Sequence, residues 1–330
     1  MQRNYYIFNS GRLRRKDDSL QFIKSDEQKI YLPIADVDTI FAFGELDFNT
    51  KAMNFLAQKG IVVHFFNYYG FYTGSFYPRE SLNSGMLLVN QVKHYSTKTK
   101  RLDLAKRIIR AAAFNIQHNL VYYNARDRDL ESEIERVKSL EQKFEMQKSI
   151  AAVMGIEGNI REIYYQAFNK IITQDIDFKK RVKRPPDNMI NTMLSFVNSM
   201  VYTTVLSEIY KTQLSPLVSY LHEPGVRRFS LSLDIAEIFK PFLGDRMIFS
   251  LMNKNTITED SFTRELNYLY LKEGARKAIV KEWDERLETT VRHKTLNRNV
   301  SYRHLIRLEL YKLIKHLIGE KEFVGFKIWW

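Results

Sequence analysis

"YPRESLNSG", residues 77–85, is where the chain changes character. Before it come short aromatic and β-branched runs punctuated by Gly, Asn and Asp. After it, between 86 and 154, glycine all but vanishes and apolar residues recur at steps of three and four. A proline followed by small and polar residues suits neither a helix interior nor a central strand. The segment therefore reads as the opening of a linker, 81–92, between an N-terminal domain, 1–80, and a C-terminal domain, 93–330. The fold class expected is α+β: a small N-terminal β-rich domain followed by a large all-α C-terminal domain.

Upstream, "NYYIFN" (4–9), "SLQFIKS" (19–25), "KIYLPIADVDTIFAFG" (29–44) and "GIVVHFFNYYGFYTGSF" (60–76) read as strands. One helix, "NTKAMNFLAQKG" (49–60), interrupts them, with Asn49 or Thr50 as cap and Gly60 as stop. His64 falls in an apolar strand and reads as a packed residue, not a ligand. Downstream, 99–126 carries Leu102, Ala105, Ile108 or Ile109, Ala112, Ile116 and Leu120 at helical spacing, and 127–155 continues with Leu130, Ile134, Val137, Leu140 and Phe144. "RPPDN" (184–188) marks a loop before a helix over 188–210, and further helices are expected within 260–293 and 301–318.

The chain has 330 residues and a formal net charge of +13, from 51 Lys plus Arg against 38 Asp plus Glu. That excess favours a polyanionic partner. Nucleic acid comes first, an anionic membrane surface second, and a lysine-rich solvated surface is the plain alternative. With no cysteine, neither a disulfide framework nor a thiolate metal site can exist. No run approaches the length of a transmembrane helix, and the first residues lack the apolar core of a signal peptide. A soluble protein of the reducing cytoplasm, without a membrane, is expected.

Two oily segments carry unexpected charge. In "AAVMGIEGNIREIYYQAFNKII" (151–172), Met154, Ile160 or Arg161, Tyr164 and Phe168 form a helical stripe, and Glu157 falls inside it between Gly155 and Gly158. A carboxylate there needs a partner, a proton or a metal, and the glycines would suit close approach of another backbone. Alternatively, Gly155 breaks the helix and Glu157 lies in an exposed first turn. In "YLHEPGVRRFSLSLDIAEIFKP" (220–241), "RRFSLSL" alternates like a strand, and Asp234 and Glu237 follow His222 by 12 and 15 residues. Asp234 could be the N-cap and Glu237 the third residue of a capping box. Taken together, a histidine and two or three carboxylates in a basic protein suit a hard divalent ion, Mn²⁺ or Mg²⁺, acting on a phosphodiester. Arg227 and Arg228 stand beside them to hold phosphates.

"GIEGNIREIYY", "RPPDNMINTMLSF", "YLHEPGVRRFSLSLDIAEIFKP", "EGARKAIVKEW" and the tail "SYRHLIRLELYKLIKHLIGEKEFVGFKIWW", in that order, resemble the universal CRISPR-associated integrase, the Cas-one family. The N-terminal "GIVVHFFNYYGFYTG" resembles it too, so the likeness spans essentially the whole chain. It implies metal ligation by Glu157, His222 and Glu237, with Asp234 supporting the site or sharing the ion. Where the family usually keeps Phe-Arg-Pro, this chain has Phe-Lys-Pro at Lys240, which retains the charge and loses a bidentate fork.

The likeness further implies a homodimer built by the N-terminal domain, and a small Cas-two partner subunit. It implies insertion of spacer DNA into a CRISPR array by 3′-hydroxyl attack at the repeat boundary. Arg161, Tyr165, Arg184, Arg227, Arg228 and Lys240 are the expected nucleic-acid contacts. Three weaker basic features are the stretch 93–110, with seven Lys or Arg against one Asp, Arg181 beside the double proline, and the last helix around His304 and His316. Two alternatives remain: a non-catalytic nucleic-acid scaffold whose acids are helix caps, and a metal nuclease on branched DNA that cuts without joining.

Overall fold

A computed structural model describes residues 2–79, 82–182, 185–225, 229–265 and 268–330. The N-terminal elements are β1 (Arg3–Ile7), β2 (Gly11–Lys16), β3 (Ser19–Lys24), β4 (Lys29–Pro33), β5 (Val37–Ala42), β6 (Leu46–Phe48), α1 (Thr50–Gln58), β7 (Val62–Phe66) and β8 (Tyr72–Phe76). One sheet runs β1-β5-β7-β8, its first three strands parallel and β8 antiparallel to β7. Parallel neighbours need a crossover, and α1 lies in the one from β5 to β7. Asn49 caps α1 by accepting from the Ala52 N–H at 3.0 Å, and Gly60, at φ 66°, ends it. The other sheet runs β4-β3-β2-β6. Alternate residues of both sheets, among them Leu13, Leu20, Phe22, Ile40 and Val63, bury a common core with Phe55 and Leu56 of α1.

The sequence offers no strand signal for β2, "GRLRRK", because only Leu13 is buried there. Its register places Leu13 opposite Phe22, and pairing alone orders the charged residues around it. His64 is fully buried and bonds Ser75 Oγ through Nδ1 at 2.7 Å, as a packed strand residue should.

The chain divides into two compact units, one of 1–83 with Leu271–Asp284 and the other of Ser84–Tyr270 with Glu285–Trp330. Within the first, Tyr6 donates to Asp284 at 3.0 Å and Arg276 to the Tyr68 carbonyl at 2.6 Å. A break in composition cannot announce such a return, because both contacts join residues more than 200 positions apart.

The rest is mostly helical: α2 (Gly85–Ser96), α3 (Lys98–Asn124), α4 (Glu131–Glu141), α5 (Ile150–Ile171), α6 (Met189–Tyr210), α7 (Ser230–Phe239), α8 (Arg246–Asn253), α9 (Glu273–Glu288) and α10 (Tyr302–Leu317). Most of the expected linker 81–92 is therefore helix, begun by Ser84 Oγ accepting from the Leu87 N–H. Two short ribbons, β9 (Phe262–Glu265) with β10 (Tyr268–Leu271) and β11 (Thr290–Arg292) with β12 (Asn299–Ser301), add strands where only helix was expected. In "RRFSLSL" the described residues, from Phe229 on, do not make a strand either. Ser230, Leu231 and Ser232 are all buried in the first turn of α7, so a period of two carries no information there. Among the described residues no helix is long and apolar enough to cross a membrane.

Candidate active site

The site is built by α3, α5, α7 and the turn after α7. Pro241 has no N–H and its ring clashes with the carbonyl four residues back, so α7 cannot continue as an α-helix. The chain widens into a π-helical turn, Lys240–Asp245. Two asparagines one turn apart on α3 bond carbonyls at this junction: Asn115 Nδ2 donates to Ile238 O at 3.0 Å and Asn119 Nδ2 to Pro241 O at 2.8 Å. Asn119 also donates to Tyr164 Oη at 2.8 Å and accepts from Arg246 Nε at 2.6 Å. Gly244 lets the turn lie against α6, since a Cβ there would come within 3.1 Å of Val197 Cγ1.

α5 runs unbroken through Gly155 and Gly158. The reading in which Gly155 stops the helix therefore fails. A Cβ at either glycine would meet nothing within 4 Å, so among the described residues no other part of the chain approaches closely there. The stripe also shifts: Met154 is exposed, while Val153, Ile156, Ile160, Arg161, Tyr164 and Phe168 are buried. Glu157 lies at the edge of that face, its side chain 24% exposed.

Its partner is one turn along. Arg161 Nε donates to Glu157 Oε1 at 3.0 Å and Nη2 to Glu237 Oε2 at 2.6 Å, while Nη1 stands 3.9 Å from Asp245 Oδ2. One buried guanidinium thus draws together carboxylates 80 residues apart. Lys240 Nζ donates to the other Glu237 oxygen at 2.5 Å. Burial alone would raise the Glu237 pKa, but Lys240 and Arg161 carry it down to about 2, with His222 adding to the effect. Burial likewise opposes the charge on Arg161, yet Glu237, Glu157 and Asp245 hold its pKa well above the usual value. For Asp245 burial prevails, lifting it to about 7 despite Arg161 and Lys240.

Asp234 is not a helix cap. It sits in the second turn of α7, and Phe229 holds the cap position without a side-chain bond. Its fully buried carboxylate accepts from the backbone N–H of Tyr220 (2.6 Å), Leu221 (2.9 Å) and His222 (2.9 Å) and faces His222 Nδ1 at 2.8 Å. Four donors saturate a carboxylate, leaving no oxygen for an ion; Asp234 positions His222. With Nδ1–H directed at Asp234, the lone pair of the neutral ring is on Nε2. Arg101 fastens the same loop from outside, bonding the Tyr220 carbonyl at 3.0 Å and Glu223 at 2.7 Å.

Among the described residues, no three His, Asp or Glu side chains stand close enough to hold a metal as arranged here. The donor chemistry nevertheless suits a hard divalent ion. Glu157 and Glu237 already share a cation, and the imidazole beside Glu237 is fixed in the tautomer that can ligate.

The basic residues fare differently from expectation. Arg161, placed at the DNA by the sequence reading, is 8% exposed and turned inward among acids. Tyr165 packs against Phe168 and Phe178, and burial pushes its phenol up to about 12. Lys240 is paired with Glu237. Arg181, expected on a basic surface, bonds Asn191 and Ser195 at the start of α6. Arg184, Arg227 and Arg228, like Lys183, lie outside the described residues. Four of the seven cations in 93–110 have protein partners, as Arg101 does: Lys106 bonds Glu145 O, Arg107 bonds Asp103 and Glu322, and Arg110 pairs with Glu145. On α10, Arg303 pairs with Glu288 and Arg307 with the buried Glu208.

Sequence reasoning missed Asp245, Asn115 and Asn119. Asp245 had a signal, since Pro241, Phe242, Ile248 and Phe249, its neighbours three and four away, are all apolar; Asn115 and Asn119 had none, because each has the other as a polar neighbour one turn away.

The family model described as CRISPR associated protein Cas1 matches residues 5–285. The chain is 54% identical over 330 residues to the CRISPR-associated endonuclease Cas1 of Fusobacterium nucleatum subsp. nucleatum, covering 100% of this chain and 98% of that one. It is 42% identical to its Methanocaldococcus jannaschii counterpart, over 98% of each. A solved CAS1 protein from Thermotoga maritima superposes with a TM-score of 0.88 at 40% identity, over 99% of this chain and 100% of that one. A casposase bound to integration product shares the fold, with a TM-score of 0.86 at 22% identity over 98% of this chain and 93% of that one.

Proposed function

Since the chain belongs to the family of CRISPR-associated Cas1 proteins, we propose that it is a metal-dependent DNA endonuclease and integrase of CRISPR adaptation. In this reading it joins spacer DNA to a repeat boundary by attack of a 3′-hydroxyl on a phosphodiester, and the displaced strand leaves as a 3′-hydroxyl. The observation that carries the reading is the convergence of Glu157 and Glu237 on one guanidinium beside His222. A basic scaffold has no use for two carboxylates drawn from separate helices to one buried guanidinium.

Glu157, Glu237 and Nε2 of His222 would hold Mn²⁺ or Mg²⁺, which supplies charge stabilisation at the phosphate and leaving oxygen. The remaining parts are the chain's own. Asp234 orients the imidazole, and Asn115 and Asn119 set the turn that presents Glu237 and Lys240. The open face at Gly155 and Gly158 leaves room beside Glu157 for a nucleic-acid backbone. The proposed partners are spacer-precursor and repeat DNA, a second copy of this chain, and the Cas-two subunit.

The test uses a labelled donor duplex, a supercoiled repeat-bearing plasmid and Mn²⁺. Glu157→Ala, His222→Ala and Glu237→Ala should each abolish covalent attachment of label to plasmid, while gel-shift binding of the donor persists. Wild-type transfer by His222→Ala, or transfer that survives a chelator, would refute the proposal. Plasmid nicking without attached label would favour a nuclease that does not join.

A further inference from the structure

The three nitrogens of the Arg161 guanidinium each face a different carboxylate: Nε faces Glu157, Nη2 faces Glu237 and Nη1 faces Asp245. The first two contacts are made. The third, at 3.9 Å, is not: Asp245 Oδ2 is buried with no hydrogen-bond partner among the described residues, although the Tyr164 hydroxyl also acts on this carboxyl. Taking as given that Glu157, Glu237 and His222 hold the divalent ion, we propose that Arg161 is a placeholder cation for it: entry of the ion displaces the guanidinium from Glu157 and Glu237, and Asp245 receives it.

The physical reasons are local. Two carboxylates that touch the same guanidinium, Glu237 buried and Glu157 partly so, repel unless a cation lies between them, so the metal-free protein gains from an internal one. A divalent ion bound to the same oxygens repels the guanidinium. Arg161 is only 8% exposed, so reaching water means displacing the side chains packed around it, whereas about 1 Å of travel brings Nη1 into hydrogen-bond range of Asp245. The π-helical turn places Asp245 eight residues beyond Glu237 yet beside the same guanidinium. Lys240 stays on Glu237 throughout, keeping its second oxygen paired. Arg161 touches no substrate in this scheme, so it is a positioning residue and Asp245 its alternate dock.

The experiment is Mn²⁺ titration of the full-length protein without DNA, with free Mn²⁺ read by electron paramagnetic resonance. Wild type, Arg161→Met and Asp245→Asn are compared. Competition predicts opposite signs. Arg161→Met should bind Mn²⁺ about tenfold more tightly, while Asp245→Asn, which withdraws the carboxyl dock, should bind several-fold more weakly. Equal or weaker binding by Arg161→Met overturns the proposal. Should that variant not fold, Asp245→Asn decides, and unchanged affinity there overturns it. If wild type takes up no Mn²⁺, the metal reading of the site falls with it. Wild-type uptake with unmoved variants defeats the placeholder alone.

Discussion

Glu237 and Asp245 lie eight residues apart, one on α7 and one at the end of the turn after it, and their pKa values are displaced in opposite directions. Each displacement sets a pH dependence of stability in metal-free protein. The Glu237 pKa falls from 4.5 to about 2, so its contribution is present above pH 4.5 and lost as pH drops through 2. The Asp245 pKa rises from 3.8 to about 7. Its contribution is therefore greatest below pH 3.8 and lost as pH rises through 7. Each displacement corresponds to about 3–4 kcal/mol. Urea unfolding under chelator should show wild-type stability declining between pH 4 and 7 through Asp245, and Asp245→Asn should flatten that decline. Glu237→Gln should instead remove part of the acid limb below pH 4.5. An identical profile for Asp245→Asn and wild type would show that Asp245 ionises normally.

Among the elements, the π-helical turn carries the site. Its existence follows from Pro241, legible in the sequence, but its stability follows from α3, which the sequence does not connect to it. Asn119 bonds Pro241 O, Tyr164 Oη and Arg246 Nε from a fully buried position. Asn119→Ala removes a partner from two buried groups and one partly buried one and is expected to destabilise by about 3 kcal/mol, read as a lower urea midpoint. Strand transfer should fall as well, because Lys240 opens this turn and Glu237 lies on the last turn of α7 just before it. A midpoint within experimental scatter of wild type would mean the turn holds itself. At this scale the sequence was legible where a residue's environment is local. The Asn49 cap and the strands around Leu20 and Ile40 depend on near neighbours. The capping-box reading of Asp234 failed because its partners, Tyr220 to His222, precede α7 in a loop that spacing alone cannot place.

For the whole molecule, the net charge of +13 overstates the surface open to a polyanion, since many of its cations face inward or bond acids. DNA binding should weaken with salt, but Arg107 should not contribute to that dependence. Its guanidinium bonds Asp103, Glu322 and the Phe323 carbonyl. Arg107→Ala should leave the slope of log affinity against log salt unchanged and lower the melting temperature. A slope reduced by about one would instead mark Arg107 as a phosphate contact.

By itself the sequence determined the two-part α+β architecture, the family, and the identity of Glu157, His222 and Glu237 as the residues to watch. Periodicity, composition and motif order are properties of neighbours along the chain. Only the tertiary structure decided what those residues touch. It turned Arg161 from a surface cation into a buried bridge, Asp234 from a cap into the anchor of His222, and Asp245 from an unremarked residue into a third acid at the same guanidinium. Ion pairs and desolvation depend on distances of a few ångströms between groups tens of residues apart, and only folding sets those distances.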